Sequence, residues 1–155
     1  MAVWLLTNQS PFWSGPALQP SHLTVLGWTK PARSPRSGVG SVSLADVRRI
    51  GAAQVAQQIL AAVPASASIL VHFDIDVLAD AEFPASYFPH ADGLTMSEIA
   101  EVLGAVLNDH RVRIVEISEY ASLRDLDRVQ VSKLMEMFSG ALRTAKTASR
   151  SGIPE

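Results

Sequence analysis

Two aspartates one residue apart, in the run His72-Phe73-Asp74-Ile75-Asp76, are the side chains of this sequence best suited to chemistry. The apolar run from Ile69 to Ile75 has strand length, and residues i and i+2 of a strand share a face. Leu70, His72, Asp74 and Asp76 then point one way, and Val71, Phe73, Ile75 and Val77 the other. The two carboxylates fall at the C-terminal end of the strand, the edge at which open α/β sheets bind ligands. Their Cα atoms would be roughly 6.6 Å apart. Like charges at that separation repel by about 2–3 kcal/mol at an intermediate dielectric. A divalent cation, an Arg or Lys, or a proton held by a raised pKa would offset that repulsion. Carboxylate oxygens suit Mg²⁺ and Mn²⁺, and an added imidazole favours Mn²⁺ or heavier metals. The plainer alternative has Asp74 capping a turn and Asp76 in water. His72 is read either as a partner that orients a ligand carboxylate or as a satisfied core histidine.

Positioning those side chains requires a sheet with helices behind it. The sequence predicts a strand at Leu23–Leu26, closed by Gly27, and a loop over 30–42. Pro11, Pro16, Pro20, Pro31 and Pro35 make residues 1–42 irregular. From Ser43 the pattern becomes regular. Ser43 with Asp46 reads as an N-cap and acidic first turn. Val47, Ile50, Val55, Ile59 and Leu60 mark one helix to about Ala62, stopped by Pro64. The strand Ile69–Ile75 is apolar on both faces, as a buried parallel strand is. A loop from Val77 to Leu94 follows. Thr95 and Glu98 form a capping-box signature ahead of Ile99, Val102, Leu103, Val106 and Leu107. A strand at Val112–Ser118 and a helix from Asp127 to Thr147 complete a β-α-β-α-β-α order. That order predicts an α/β fold of three layers, helices on both faces of a parallel sheet. The reading is one domain over residues 1–155, its regular part spanning 43–147.

Composition narrows the function classes. The chain has 155 residues, 48% of them hydrophobic and 18% charged, enough for a real core. Its formal charge is 13 − 15 = −2, which predicts neither a nucleic-acid partner nor a membrane surface. There is no cysteine, so disulfides, thiol catalysis and Cys-zinc sites are excluded. No apolar run approaches the ~20 residues of a membrane span, and the start lacks the basic and long apolar regions of a signal peptide. A cytoplasmic protein is expected.

The stretch from His72 to Leu103 resembles the arginase/agmatinase (ureohydrolase) family. Asp74-Ile75-Asp76 matches its D-x-D strand end, Pro84 and Pro89 its loop prolines, and Gly93-Leu94-Thr95 its helix start. Glu116-Ile117-Ser118-Glu119-Tyr120 is similar to the acidic end of its next strand. The resemblance covers roughly residues 43–145 and implies the C-terminal half of an arginase-like fold, apparently incomplete. It implies hydrolysis of a linear C–N bond in a guanidino or related amidine substrate, with two Mn²⁺ ions as cofactor. Asp74 and Asp76 would be metal ligands, His72 would orient a ligand, and Glu119 would anchor the substrate guanidinium. The family's G-G-D-H and D-A-H-x-D motifs, which supply the other four metal ligands, do not occur here. Ala121-Ser122 stands where the family has Asn-Pro. Little activity is therefore expected of this chain alone.

Other readings compete. A haloacid-dehalogenase-type, Mg²⁺-dependent phosphatase also places D-x-D after a strand, but Leu78, Lys133 and Asp125/Asp127 match that pattern poorly. A non-catalytic truncated domain would also explain the missing ligands. His90 is read as a solvated loop residue, His110 as lying at a helix C-terminus where the dipole favours a cation, with no chemistry, and Glu116 as paired with an Arg. Arg124, Asp125, Asp127 and Arg128 are read as a solvated helix start. Trp4, Trp13 and Trp28 would make a sticky patch if their segment is loose. An unfinished sheet edge favours a homo-oligomer.

Overall fold

The computed structural model describes residues 6–8, 15–29 and 37–150, with side chains to residue 143. Trp4, Trp13 and the prolines Pro11, Pro31 and Pro35 lie outside the described residues. Strand β1 (Thr24–Trp28) pairs in parallel with β2 (Gly40–Ser43). Helices α1 (Leu44–Ile50) and α2 (Ala52–Ala62) lead to β3 (Ile69–Asp74). Helix α3 (Met96–Leu107), β4 (Val112–Ser118) and α4 (Val129–Arg150) follow. β3 and β4 are parallel, so two two-stranded sheets are seen among the described residues where one three-stranded sheet was expected. The added strand is β2, whose four residues carry too little alternation to stand out from a loop.

The helix starts follow their caps. The Ser43 hydroxyl accepts from the Asp46 N–H at 3.1 Å. At α3, Thr95 Oγ1 accepts from the Glu98 N–H at 3.1 Å, and Glu98 Oε2 accepts from the Thr95 N–H at 2.7 Å. Two of the orphan N–H groups of that helix end are thereby satisfied by each other's side chains. Glu82, from the preceding loop, accepts from the Met96 N–H as well. The single helix expected over 43–62 is divided at Gly51, whose φ of 102° no L side chain adopts readily.

α2 packs on α3 and α3 on α4. Phe73 of β3 meets Phe138 of α4, ring centroids 5.9 Å apart. The opposite face of the β3–β4 sheet carries Leu70, His72, Ile114 and Glu116, all exposed. β3 is therefore covered on one face rather than both. One helical layer of the three-layer arrangement is present among the described residues, which is the incomplete fold expected.

The most buried side chains include Ile75, Leu78, Phe83 and Leu94, all at or just after the end of β3. The loop between β3 and α3 is thus part of the core. It is closed at its base by Leu94 N–H to Val77 O at 2.8 Å and Ala79 N–H to Leu94 O at 3.0 Å. Gly93 lies so close to the backbone of Leu78 and Ala79 that no side chain fits there. Arg48 of α1 donates to the Gly93 carbonyl at 3.0 Å, fixing the same corner from the other side.

Behind the sheet, one cation joins three elements. The Arg111 guanidinium donates to the carbonyls of Leu60, Val63 and Pro64 at the end of α2. It also grips Asp109 at 2.6 and 2.9 Å. Leu60 O and Pro64 O also accept from the N–H groups of Val63 and Ala67, so the guanidinium adds a donor at the C-terminal end of the helix, where carbonyls lack intrahelical partners.

Candidate functional site

Asp74 is the last residue of β3, and its carboxylate turns the chain. Its Oδ1 accepts from the Asp76 N–H at 3.0 Å, capping a 3₁₀ turn over Ile75–Val77. The strand thus ends one residue earlier than expected, and Asp76 reaches the sheet edge from a turn rather than from the alternating face of a strand. Ile75 drives the turn inward, being fully buried. Asp76 Oδ1 accepts from the Phe88 N–H at 3.2 Å. Each aspartate therefore commits one oxygen to a backbone N–H. The Oδ2 of each accepts no hydrogen bond, and neither carboxylate is in an ion pair, among the described residues.

His72 sits two residues before Asp74 on β3. Its Nδ1 lies 2.7 Å from Glu116 Oε2, and its Nε2 3.3 Å from Ser118 Oγ. The imidazole is held across the two strands by a carboxylate on one side and a hydroxyl on the other. Glu116 thus pairs with His72 and not with an Arg. Ser118 is the register partner of Asp74, so this chain of side chains runs along the face toward the acidic edge.

Glu119 follows β4 directly and adopts φ 63°, a left-handed backbone costly for a non-glycine residue. Its carbonyl accepts from the Tyr87 N–H at 3.1 Å. Next to it, Ala121 N–H donates to Ala85 O at 2.9 Å, and Ser86 bridges Tyr120 in antiparallel fashion. The Arg124 guanidinium donates to the Ser86 carbonyl at 3.0 Å. Strained backbone of this kind persists only where the surroundings hold it, and it gathers at functional positions.

The segment 85–88 thus ties both residues: Phe88 N–H to the Asp76 carboxylate and Tyr87 N–H to the Glu119 backbone carbonyl. Asp74 ends β3 and Glu119 follows its parallel neighbour β4, so both lie at the C-terminal edge of the same sheet. The linking role of Tyr87 and Phe88 was not legible, because it is carried by backbone amides that any residue supplies.

Asp125 overturns its expectation as a solvated residue. It is buried, and its oxygens accept from the Tyr120 hydroxyl at 2.8 Å and from the N–H groups of Gln130 and Val131 at 2.9 and 2.8 Å. Burial pushes its pKa up, but those three donors outweigh burial and leave it below the usual carboxylate value. Burial, with Asp125 beside it, raises the Tyr120 hydroxyl. Asp125 is the N-terminal anchor of α4 and fixes the 119–128 turn from beneath.

The donor set fits an oxygen-seeking divalent cation in kind, with two carboxylates each offering one oxygen. It does not fit in number. No group of three or more His, Asp or Glu side chains converges to hold a metal among the described residues.

Comparison with known proteins bears on the fold. The profile of the Arginase family matches residues 8–141. No curated protein matches the chain. Formimidoylglutamase from Bacillus subtilis superposes with a TM-score of 0.73 at 21% identity, over 82% of this chain and 42% of that one. A hypothetical agmatinase from Burkholderia thailandensis gives 0.71 at 18% identity, over 87% and 42%. Formiminoglutamase from Trypanosoma cruzi, solved with Mn²⁺, gives 0.61 at 18% identity, over 70% and 36%. The chain spans about two fifths of the length of these structures.

Proposed function

The chain belongs to the arginase family, and from that premise we propose that it carries part of a ureohydrolase centre, one that hydrolyses a linear C–N bond in a guanidino or related amidine substrate. The observation that carries this reading is the double tie of Tyr87 and Phe88, which sets the Asp74/Asp76 turn beside Glu119. A phosphatase reading has no support in the family match.

In this proposal Asp74 and Asp76 are two of the ligands of a Mn²⁺ centre, as the manganese in the Trypanosoma relative suggests. A bound divalent cation would lower the pKa of a water and neutralise developing charge. Glu119 accepts the N–H groups of the planar cation in charge-assisted hydrogen bonds and fixes the carbon under attack. The Glu116–His72–Ser118 chain stiffens the sheet face that leads to Asp74. Two carboxylates do not close a coordination shell, so the isolated chain turns substrate over poorly.

Thermal denaturation with and without Mn²⁺ tests the metal half of the proposal. At millimolar Mn²⁺ the midpoint rises by roughly 1–3 °C, and the Asp74→Asn/Asp76→Asn variant loses that rise. A rise of equal size in the double variant, or none in the parent chain, overturns the assignment. Urea release by the chain stays at background with arginine or agmatine.

A further inference from the structure

The open face of the β3–β4 sheet carries three side chains whose order has a chemistry of its own. His72 and Glu116 are register partners, and Ser118 is the next residue of β4 on the same face. Glu116 Oε2 lies 2.7 Å from His72 Nδ1. A carboxylate has no proton to give, so Nδ1 carries the N–H that donates. The neutral ring then has its lone pair on Nε2. Nε2 lies 3.3 Å from Ser118 Oγ and is the acceptor for the serine hydroxyl. Acid, imidazole and alcohol are thus joined through the two different ring nitrogens. That is the connectivity by which serine is activated as a nucleophile on unrelated folds. The His72 and Glu116 side chains are 39% and 56% exposed, so a substrate reaches them from solvent.

We propose that Ser118 is a nucleophile toward small, activated carboxylic esters, with His72 as its base and Glu116 as the residue that positions the ring. Ser118 Oγ bonds to the carbonyl carbon and its proton passes to His72 Nε2. The ester C–O bond breaks and a phenolate leaves with the electron pair, needing no proton. The imidazolium then releases its proton to solvent. Water next attacks the acyl-serine, its proton passing to His72 Nε2 and on to Ser118 Oγ as the carboxylic acid departs. Leu70 and Ile114, the register pair beside His72 and Glu116 on this face, are 59% and 55% exposed and offer the acyl or aryl group an apolar surface. The face is open, which suits a small ester with a good leaving group. No step uses a metal ion, so the proposal is independent of the manganese reading.

The test is reaction of the full chain with p-nitrophenyl acetate in EDTA, followed by phenolate release and by peptide mass spectrometry. One acetyl group on Ser118 is expected. His72→Gln slows that acetylation about a hundredfold, the ordinary worth of a general base. Ser118→Ala abolishes the fast release of phenolate. Glu116→Gln slows acetylation less than His72→Gln does. Nitrogen NMR of the His72 ring separates positioning from a structural role: the parent is protonated at Nδ1, and Glu116→Gln gives mixed tautomers. Thermal midpoints of all three variants stay with the parent, since none of the three side chains is buried. Acetylation of lysines or of His72 but not of Ser118 overturns the proposal. So does phenolate release that survives Ser118→Ala, a His72→Gln variant as fast as the parent, or a parent ring protonated at Nε2.

Discussion

The N–H of Tyr87 donates to the carbonyl of Glu119 at 3.1 Å, and that bond holds Glu119 at a φ of 63°. A left-handed backbone costs an L residue about 1–2 kcal/mol, a cost that glycine avoids. Glu119→Gly removes the strain and adds unfolded-chain entropy, so its net effect on stability is small. We expect the thermal midpoint within about 2 °C of the parent, by calorimetry, together with loss of guanidinium binding. A midpoint more than 5 °C lower would mean that the carboxylate stabilises the fold.

Gly93 is constrained by room. A Cβ there would meet the backbone of Leu78 and Ala79, which cannot rotate aside as a side chain can. Gly93→Ala should therefore destabilise by about 1–3 kcal/mol, the usual cost of overpacking a tight interior. Urea denaturation would show the midpoint moving with little change in slope. An unchanged midpoint would mean that this corner yields.

The Asp109–Arg111 pair gives a pH signature. Hydrogen bonds from Arg111 lower the Asp109 carboxyl from 3.8 to about 2. A depressed folded-state pKa stabilises above the unfolded value and loses that contribution as pH falls through the folded one. Stability from this pair is thus full above about pH 4 and disappears toward pH 2. Arg111→Met removes the dependence, so parent and variant converge as acid is added. Curves that stay parallel from pH 5 to 2 would contradict the assignment.

Much of this was legible from local chemistry. β4 spans Val112–Ser118 as read, and the Ser43 and Thr95 caps form as their spacing implied. Asp74, Asp76 and Glu119 were singled out by their likeness to the family's strand-end motifs, which place them at the C-terminal ends of β3 and β4. The misreadings have a common cause. Ile75 looks like strand in an apolar run, but the Asp74 side chain and the pull of the core bend it into a turn. Asp125 and Arg124 look like surface charges, and only tertiary structure brings them Tyr120 and the Ser86 carbonyl. Arg111 carries no local sign that its partners are the last carbonyls of α2.

The burial of Leu78, Phe83 and Leu94 bears on kinetics. A loop anchored in the core cannot serve as a door, because lifting it would expose the residues that keep the chain folded. Any molecule reaching the C-terminal edge of β3 would then do so without that loop lifting.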